Sequence, residues 1–446
     1  MKYLWNESVS AESRLKFEQA SGEYKTDVLV IGGGMAGILI ANRLREIGAN
    51  YMLVEASSIG SGTTVGTTAV LTAQHDTLYT EIKQSFDTDT AKLYLHANLK
   101  AVEAFHELSE RIPCDFEYKP SFMVTRESTE AKELKKEAAL VKKLGFDAKF
   151  KHSTELPYRM AGAVKYDGMA QMNPMKLLYG LAKGMNIYEN TFIHTVEGNT
   201  AYSDDAVIRA DNIIIATHFP FINAHGMHFM KLYQNRSFVI AYENAEQLEG
   251  TYVDMAEGGI YLRNYGKLLL VGGGDHRTGK YKKDFGFERV RAFAKECFPR
   301  ASEKYAWATQ DCMSLDGVPY IGRYSKNMPN LYVATGFNEW GMTSSMVASW
   351  VIGDMILGRH NEYEEVFDPS RSMIRKQLFV NLGETLINFL TPTTKRCPHL
   401  GCALKWNKWE HTWDCSCHGS RFEESGHLIC NPAMKPIKNS RAGRGN

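Results

Sequence analysis

No stretch of this chain is apolar for long enough to cross a bilayer. Its strongest apolar runs, such as Asn212–Ala216 and Leu268–Val271, have the length of strands, whereas a membrane helix needs roughly 18 or more such residues. No excess of one charge is present either: 52 basic residues stand against 51 acidic ones. A phosphate backbone calls for clustered basic surface, so nucleic acid is not expected as a partner. The opening residues Met1–Glu7 lack the apolar core of a secretory signal, and the protein is expected to be cytoplasmic. There is no internal repeat and no low-complexity tract, which excludes solenoids and long linkers. Cysteine is scarce for most of the length. Cys114, Cys297 and Cys312 are scattered, while Cys397, Cys402, Cys415, Cys417 and Cys430 fall within the last 50 of 446 residues. In a reducing compartment that grouping favours a metal site over a disulfide framework.

What is present is the composition of a globular protein, 44% hydrophobic and 23% charged, at a length that suggests about two to four domains. Thr26–Ile31 is a β-branched run ending in Gly32-Gly33-Gly34, a helical pattern follows to about Glu46, Gly48 closes it, and Tyr51–Glu55 reads as the next strand. Gly32-Gly33-Gly34-Met35-Ala36-Gly37 therefore matches G-x-G-x-x-G where a strand turns into a helix. Gly32 permits the turn, Gly34 admits a pyrophosphate to the backbone, and Gly37 lets the helix pack on the sheet. A diphosphate would meet free N–H groups at Met35 and Ala36 and the positive end of the helix dipole. Glu55 stands where a carboxylate can accept hydrogen bonds from a ribose. No second fingerprint is found.

Further along, helices are expected over Ser85–Ile112, over Glu127–Leu144, from Pro174, and from about Thr343 to Leu357. Strands are expected at Asn186–Thr195, Asn212–Ala216, Ser237–Tyr242, Gly259–Arg263, Leu268–Val271 and Leu331–Ala334. Arg371–Leu390 reads as a joining helix. The order of these pieces resembles the D-amino-acid oxidase/glycine oxidase-like superfamily of FAD enzymes over roughly residues 24–360. The fingerprint with Glu55 carries the resemblance, together with Gly60–Thr64 and Thr67-Thr68-Ala69, Ile213–Thr217, and Asp316–Gly322 followed by Ala334-Thr335-Gly336 and Gly341-Met342-Thr343. It implies FAD held by these segments, with Ile193 near the adenine and Thr217, Gly336, Gly341 and Met342 also in the cofactor site. Amino-acid-oxidising members often carry an arginine about five residues before the Asp-Gly pair to hold a substrate carboxylate. Here that position is Asp311, which would repel a carboxylate and attract an amine. Arg263 and Arg277 are candidate replacements for the arginine, His75, His218, His225 and His276 candidate acid–base groups by residue type. Cys312 is a candidate for covalent flavin attachment, although a buried structural thiol is the plainer reading.

Cys397-Pro398-His399-Leu400-Gly401-Cys402 and Cys415-Ser416-Cys417-His418-Gly419-Ser420 give C-x-H and C-x-x-H separated by fifteen residues. Two Cys and two His at short spacings also suit tetrahedral zinc. The full boxes resemble those of Rieske proteins. That resemblance implies a [2Fe–2S] cluster with Cys397 and Cys415 on one iron and His399 and His418 on the other, and a Cys402–Cys417 disulfide as in many such proteins. Neutral imidazoles in place of thiolates put Rieske potentials at roughly −150 to +300 mV, against about −400 mV for four-cysteine ferredoxins. The base that usually supports such a cluster lobe is largely missing, so the lobe is expected to pack on the flavin domain.

The fold expected is α/β: a Rossmann-like FAD-binding domain (1–80, 155–220 and 305–370), an inserted α+β substrate domain (81–154 and 221–304), and a small C-terminal Rieske-type module (391–446). The expected function is an FAD-dependent oxidoreductase that takes electrons from a small organic substrate, an amine among the candidates. It would relay them singly through the cluster to a protein or small-molecule acceptor. Its rivals are an oxidase using O2 beside a structural cluster or zinc, and a redox sensor without turnover. Asp311, Arg263 and His75 are the candidates for catalysis.

Overall fold

Val28, Leu29, Val30 and Ile31 are all buried, the pattern of a strand covered on both faces, and they lie at the centre of a parallel sheet. The computed structural model describes residues 2–223, 225–281 and 285–437. Gly22–Ile31 pairs in parallel with Tyr51–Val54 on one side and Ala206–Ile215 on the other. Met328–Thr335 extends the sheet beyond Ile213–Ile215, and Tyr320–Ser325 pairs with it. The helices Met35–Glu46 and Gly341–Ile356 each follow a strand of this sheet and pack on one another. The expected strand over Asn186–Thr195 shrinks to Ile187–Tyr188 and a separate Thr195–Glu197, because Asn190 takes a left-handed turn between them.

A second eight-stranded sheet has the order Ser302–Met313, Tyr233–Glu243, Leu268–Arg277, Tyr261–Tyr265, Thr251–Asp254, Ser121–Thr125, Gly162–Tyr166, Lys149–Lys151. Gly162–Tyr166 and Ser302–Met313 thus lie in the second sheet, so the expected boundaries at 155 and 305 give strands to the first domain that pair with the other. Hydrogen-bonded partners outrank sequence proximity there. The N-terminus, which reads as polar, forms a short helix Leu4–Glu7 that buries Leu4 and Trp5. Trp5 Nε1 donates to the Thr67 carbonyl at 2.6 Å.

Helix Lys376–Leu390 leads into a lobe of four short antiparallel strands: Leu404–Asn407, Thr412–Cys415, Arg421–Glu423 and Leu428–Cys430. This lobe sits on the second sheet through a buried ionic network. Arg236 Nε donates to Glu410 Oε2 at 3.0 Å, Arg421 Nη2 lies 3.1 Å from Glu410 Oε1, and Arg421 Nε lies 3.1 Å from Asp414 Oδ1.

Burial alone would raise the Glu410 carboxyl, but Arg236 and Arg421 outweigh it and hold it at about 2. The folded value lies below the ordinary glutamate value of about 4.3. Stability from this network is therefore present above that value and is lost as pH falls toward 2. Glu410→Gln leaves two buried guanidiniums short of a partner and is expected to cost about 3–5 kcal/mol. It should also remove that acid dependence. Thermal unfolding as a function of pH reads both, and an unchanged midpoint with an unchanged pH profile would count against the network.

Candidate active site and metal centre

At the first glycine turn the backbone explains the residue types. Gly32 has φ +112°, and a Cβ there would lie 2.4 Å from the Ala216 carbonyl oxygen, beside Thr217. A Cβ on Gly37 would lie 1.8 Å from the Gly32 oxygen. Gly34 differs, since a Cβ there would meet only Thr64 Oγ1 at 3.4 Å. Its freedom serves something outside the polypeptide, a cradle that fits a pyrophosphate. Glu55 accepts from the Gly33 N–H at 2.7 Å and the Ser57 N–H at 2.9 Å. Thr64 Oγ1 accepts from the Met35 N–H at 3.0 Å. Thr67 and Thr68 are half-buried, and the buried Ala69 has φ +54°. Ile193 is buried beneath the sheet with Met52 and Val54. Gly336 (φ +69°) opens the loop before Gly341 and the buried Met342, and Asn338 Nδ2 fastens that loop to the Gly336 and Gly317 carbonyls at 2.7 and 2.9 Å. FAD held by these segments would supply two-electron oxidation chemistry.

Two of the candidate catalytic residues have structural duties. Arg263 is buried and donates to the carbonyls of Thr68, Ala69 (3.0 Å) and Met172 (3.3 Å). It clasps the Thr68–Ala69 segment, so it does not stand in for a substrate arginine. His75 is fully buried, bonded to Tyr94 Oη and the Thr72 carbonyl at 2.8 Å each and stacked on Trp340. Burial lowers it to about 3, so it is neutral at physiological pH. Arg277 is likewise committed, as shown below. His218 is lowered to about 4 by burial and lies 3.3 Å from Thr63 Oγ1. His276 stacks on Phe238 and contacts the Gly274 carbonyl, and His225 is exposed. Cys312 is a buried thiol pushed up to about 12 by burial, 3.6 Å from Thr335 Oγ1, an inert packing group.

Asp311 has company that spacing alone does not reveal. Ser237 Oγ donates to its Oδ2 at 3.1 Å. Asp275, one strand beyond Ser237, and Glu339 in the loop before Gly341 lie near enough to repel it. Burial, then mutual repulsion, pushes Asp275 and Glu339 up, and burial pushes Asp311 up. Asp76 joins the group, raised to about 6 by burial. Glu339 and Asp76 are exposed, while Asp275 and Asp311 are half-buried. Asp275 Oδ1 is buried with no hydrogen-bond partner among the described residues. Asp76, Asn338 and Glu339 are held at φ +49°, +50° and +72°, a non-glycine conformation that costs energy and concentrates at functional sites.

The two C-terminal boxes fold into matching turns: the Gly401 N–H donates to the Cys397 carbonyl and the Gly419 N–H to the Cys415 carbonyl, each at 2.9 Å. Gly401 and Gly419 have φ +79° and +84°. The His399 and His418 rings lie 4.8 Å apart and perpendicular. Both Nδ1 atoms are buried without a partner among the described residues, while His399 Nε2 lies 2.9 Å from Asn223 Oδ1. A metal-bound histidine typically donates its outer N–H and keeps the other nitrogen for the ion, so the pair fits one iron. Cys397 and Cys415 contact one another, and the Cys415, Cys402 and Cys417 ligand atoms lie within 4.8 Å of each other. Cys402 and Cys417 are unlinked, and their pairing is a proposal. Cys430 is a free thiol.

Sequence reasoning missed how this tip is held. Arg277 Nε and Nη2 donate to the Ser416 and Cys417 carbonyls at 2.8 and 2.9 Å, Gln234 Nε2 donates to His418 at 2.7 Å, and Gln310 Nε2 donates to Gly419 at 2.9 Å. Gln310 also donates to Gln234 Oε1 at 2.6 Å, and its own carbonyl accepts from Thr63 Oγ1 at 3.4 Å. Asn431 Nδ2 reaches back to the Thr217 and Phe219 carbonyls at 3.0 and 2.7 Å. Only a prior strand pairing could have exposed these partners.

Two variants separate the two centres. Gly37→Ala drives a methyl into the Gly32 carbonyl and is expected to yield protein without flavin absorption that still contains iron. His418→Ala is expected to retain flavin and lose the cluster's EPR signal. Metal analysis and absorption spectra check both, and an iron-free, zinc-containing wild type would overturn the assignment.

Residues 27–355 match the family model of FAD-dependent oxidoreductases, and residues 376–441 match that of the Rieske [2Fe–2S] domain. The chain is 32% identical to the YhfW protein of Bacillus subtilis, named for a Rieske 2Fe-2S centre, over 97% of this chain and 96% of that one. It is 23% identical to gamma-glutamylputrescine oxidoreductase of Escherichia coli over 80% of this chain and 89% of that one. In fold it is similar to the glycine oxidase of Geobacillus kaustophilus, with a TM-score of 0.66 at 20% identity, covering 78% of this chain and 99% of the other. The chain belongs to the family of FAD-dependent oxidoreductases and carries a C-terminal Rieske [2Fe–2S] domain, which makes it an iron–sulfur flavoprotein.

Proposed function

We propose that the protein oxidises a cationic amine at its FAD site and hands the electrons to its own Rieske cluster, for delivery to an external acceptor. One observation carries the reading: Gln310 and Asp311 are neighbours on one strand. Successive side chains of a strand point to opposite faces. Gln310 grips the cluster turn at Gly419, and Asp311 meets Ser237 in the acidic cluster. The adjacent strand repeats the division, with Gln234 and Arg236 toward the lobe and Ser237 toward Asp311. The substrate side and the cluster side are two faces of the same pair of strands.

Bound FAD takes up two electrons and a Rieske cluster carries one at a time, which suits an internal relay. The chain's own part is to select and prepare the substrate. Asp275, Asp311 and Glu339 attract an ammonium group and repel a carboxylate. An amine must lose its proton before it yields a hydride, and a carboxylate raised toward neutrality by burial is a suitable acceptor. The acids' shared charge also falls when a cation enters, which favours binding. The similarity to an enzyme named for glutamylputrescine agrees with an amine.

The test is anaerobic mixing with a panel of amines and amino acids, followed by flavin bleaching. Amines lacking an adjacent carboxylate should reduce the flavin. Asp311→Asn should raise KM for them tenfold or more and displace the acidic limb of the kcat/KM profile. Glycine or D-alanine oxidised as fast as the best amine would sink the proposal.

A further inference from the structure

The helix Lys376–Leu390 is turned inside out. Its inward positions are Leu378, Asn381, Glu384 and Asn388, three of the four polar. Each polar one has a task there. Asn381 Oδ1 accepts from Arg277 Nη1 at 2.9 Å, Glu384 pairs with Lys280, and Asn388 Nδ2 donates to the Glu384 carbonyl at 2.8 Å. The outward face is apolar: Phe379 is 65% exposed, Leu386 59%, Ile387 65% and Leu390 67%, with Val380, Leu382 and Phe389 also exposed. A helix on a protein surface ordinarily shows the reverse arrangement. Ile374, 74% exposed, lies just before the helix, and Leu400 in the cluster turn continues the face beyond it. The Cβ position of Gly401 lies 3.7 Å from Phe389, so turn and helix form one surface.

The charges flanking this surface in the chain have one sign. Arg375 and Lys376 stand at its start, Lys395 and Arg396 at its end, and Lys405 and Lys408 lie beyond. From Pro369 to Trp409 the sole carboxylate is Glu384, which faces inward. Basic residues at a helix N-terminus oppose the helix dipole, so Arg375 and Lys376 are not placed for the helix's own stability. A second copy of the chain would not satisfy this face. Both ends are basic, and parallel or antiparallel pairing would set like charges together.

We propose that this helix lies in the plane of an anionic lipid surface, its apolar face among the acyl chains and its basic ends among the headgroups. A helix of 15 residues spans about 22 Å, and in-plane binding needs no membrane-crossing length. None of the described helices is long and apolar enough to cross a membrane, so attachment is peripheral and reversible. The cluster turn with Leu400 comes to rest at the lipid boundary. The binding rests on this helix alone and is independent of the substrate assignment.

The test is flotation of the full-length holoprotein with vesicles of phosphatidylcholine alone or mixed with phosphatidylglycerol. The protein should float with phosphatidylglycerol vesicles, stay behind with phosphatidylcholine alone, and release as salt is raised. Leu386→Glu with Ile387→Glu should reduce binding tenfold or more, with flavin absorption and cluster EPR unchanged as proof of folding. Lys376→Glu, which leaves the apolar face intact, should weaken binding several-fold. Absence of binding to either vesicle would overturn the proposal. So would binding that survives the double glutamate variant, or a wild-type dimer that the same variant turns into monomers, which would assign the face to a second copy.

Discussion

Four consecutive backbone carbonyls at the tip of the C-terminal lobe, Ser416 to Gly419, are satisfied by side chains of another domain. Arg277, Gln234 and Gln310 supply those hydrogen bonds. Buried carbonyls left unpaired cost roughly 1–3 kcal/mol each, so the lobe is held where these donors are. This constraint explains why so short a module can dispense with a supporting base of its own. It also sets which edge of the module faces the flavin domain. His418 is buried with Phe219 and Phe229 against its ring, and His399 meets Asn223. The histidine edge, where an electron enters or leaves such a centre, is turned inward.

The rest of the architecture follows from placing that edge. Tight contacts at glycine record how closely the parts meet: a Cβ at Gly419 would lie 2.6 Å from Gln234, and one at Gly279 would lie 2.9 Å from the Ser416 nitrogen. The ionic network around Glu410 locks the far side of the lobe to the same sheet. The joining helix spends its polar residues on this interface, and its apolar residues are left outside. The acidic cluster, the dock of the lobe and the outward helix face are therefore consequences of one sheet being used on both sides.

Much of this was legible in the amino-acid sequence wherever a local rule is strict. The strand–turn–helix with Gly32, Gly34 and Gly37 admits few readings, because a Cβ at two of the three positions collides with backbone. The C-x-H and C-x-x-H boxes are similarly tight, since their turns need Gly401 and Gly419 at positive φ. Asp311 was visible only as an oddity of position. Its partners Ser237, Asp275 and Glu339 lie on other strands and a distant loop, and only strand register brings them together. Arg263 and Arg277 read as substrate ligands by charge, yet both were spent on carbonyls, because a buried guanidinium satisfies several acceptors at once. In Lys376–Leu390 the apolar spacing gave a helix and no indication of which face was inside. Polar residues at Asn381, Glu384 and Asn388 look like a solvated stripe until Arg277 and Lys280 are known to meet two of them.

The measurement that bears most directly on the account is rapid-freeze EPR of the anaerobic protein mixed with an amine that bleaches its flavin. The account predicts that a Rieske-type signal of the reduced cluster grows in within a single turnover. It also predicts that Gln234→Ala, which frees the His418 carbonyl from its donor, slows that growth without slowing the bleaching. A flavin that bleaches fully while the cluster stays oxidised, and reoxidises only when oxygen is admitted, would contradict it. The two centres would then share a chain without sharing electrons.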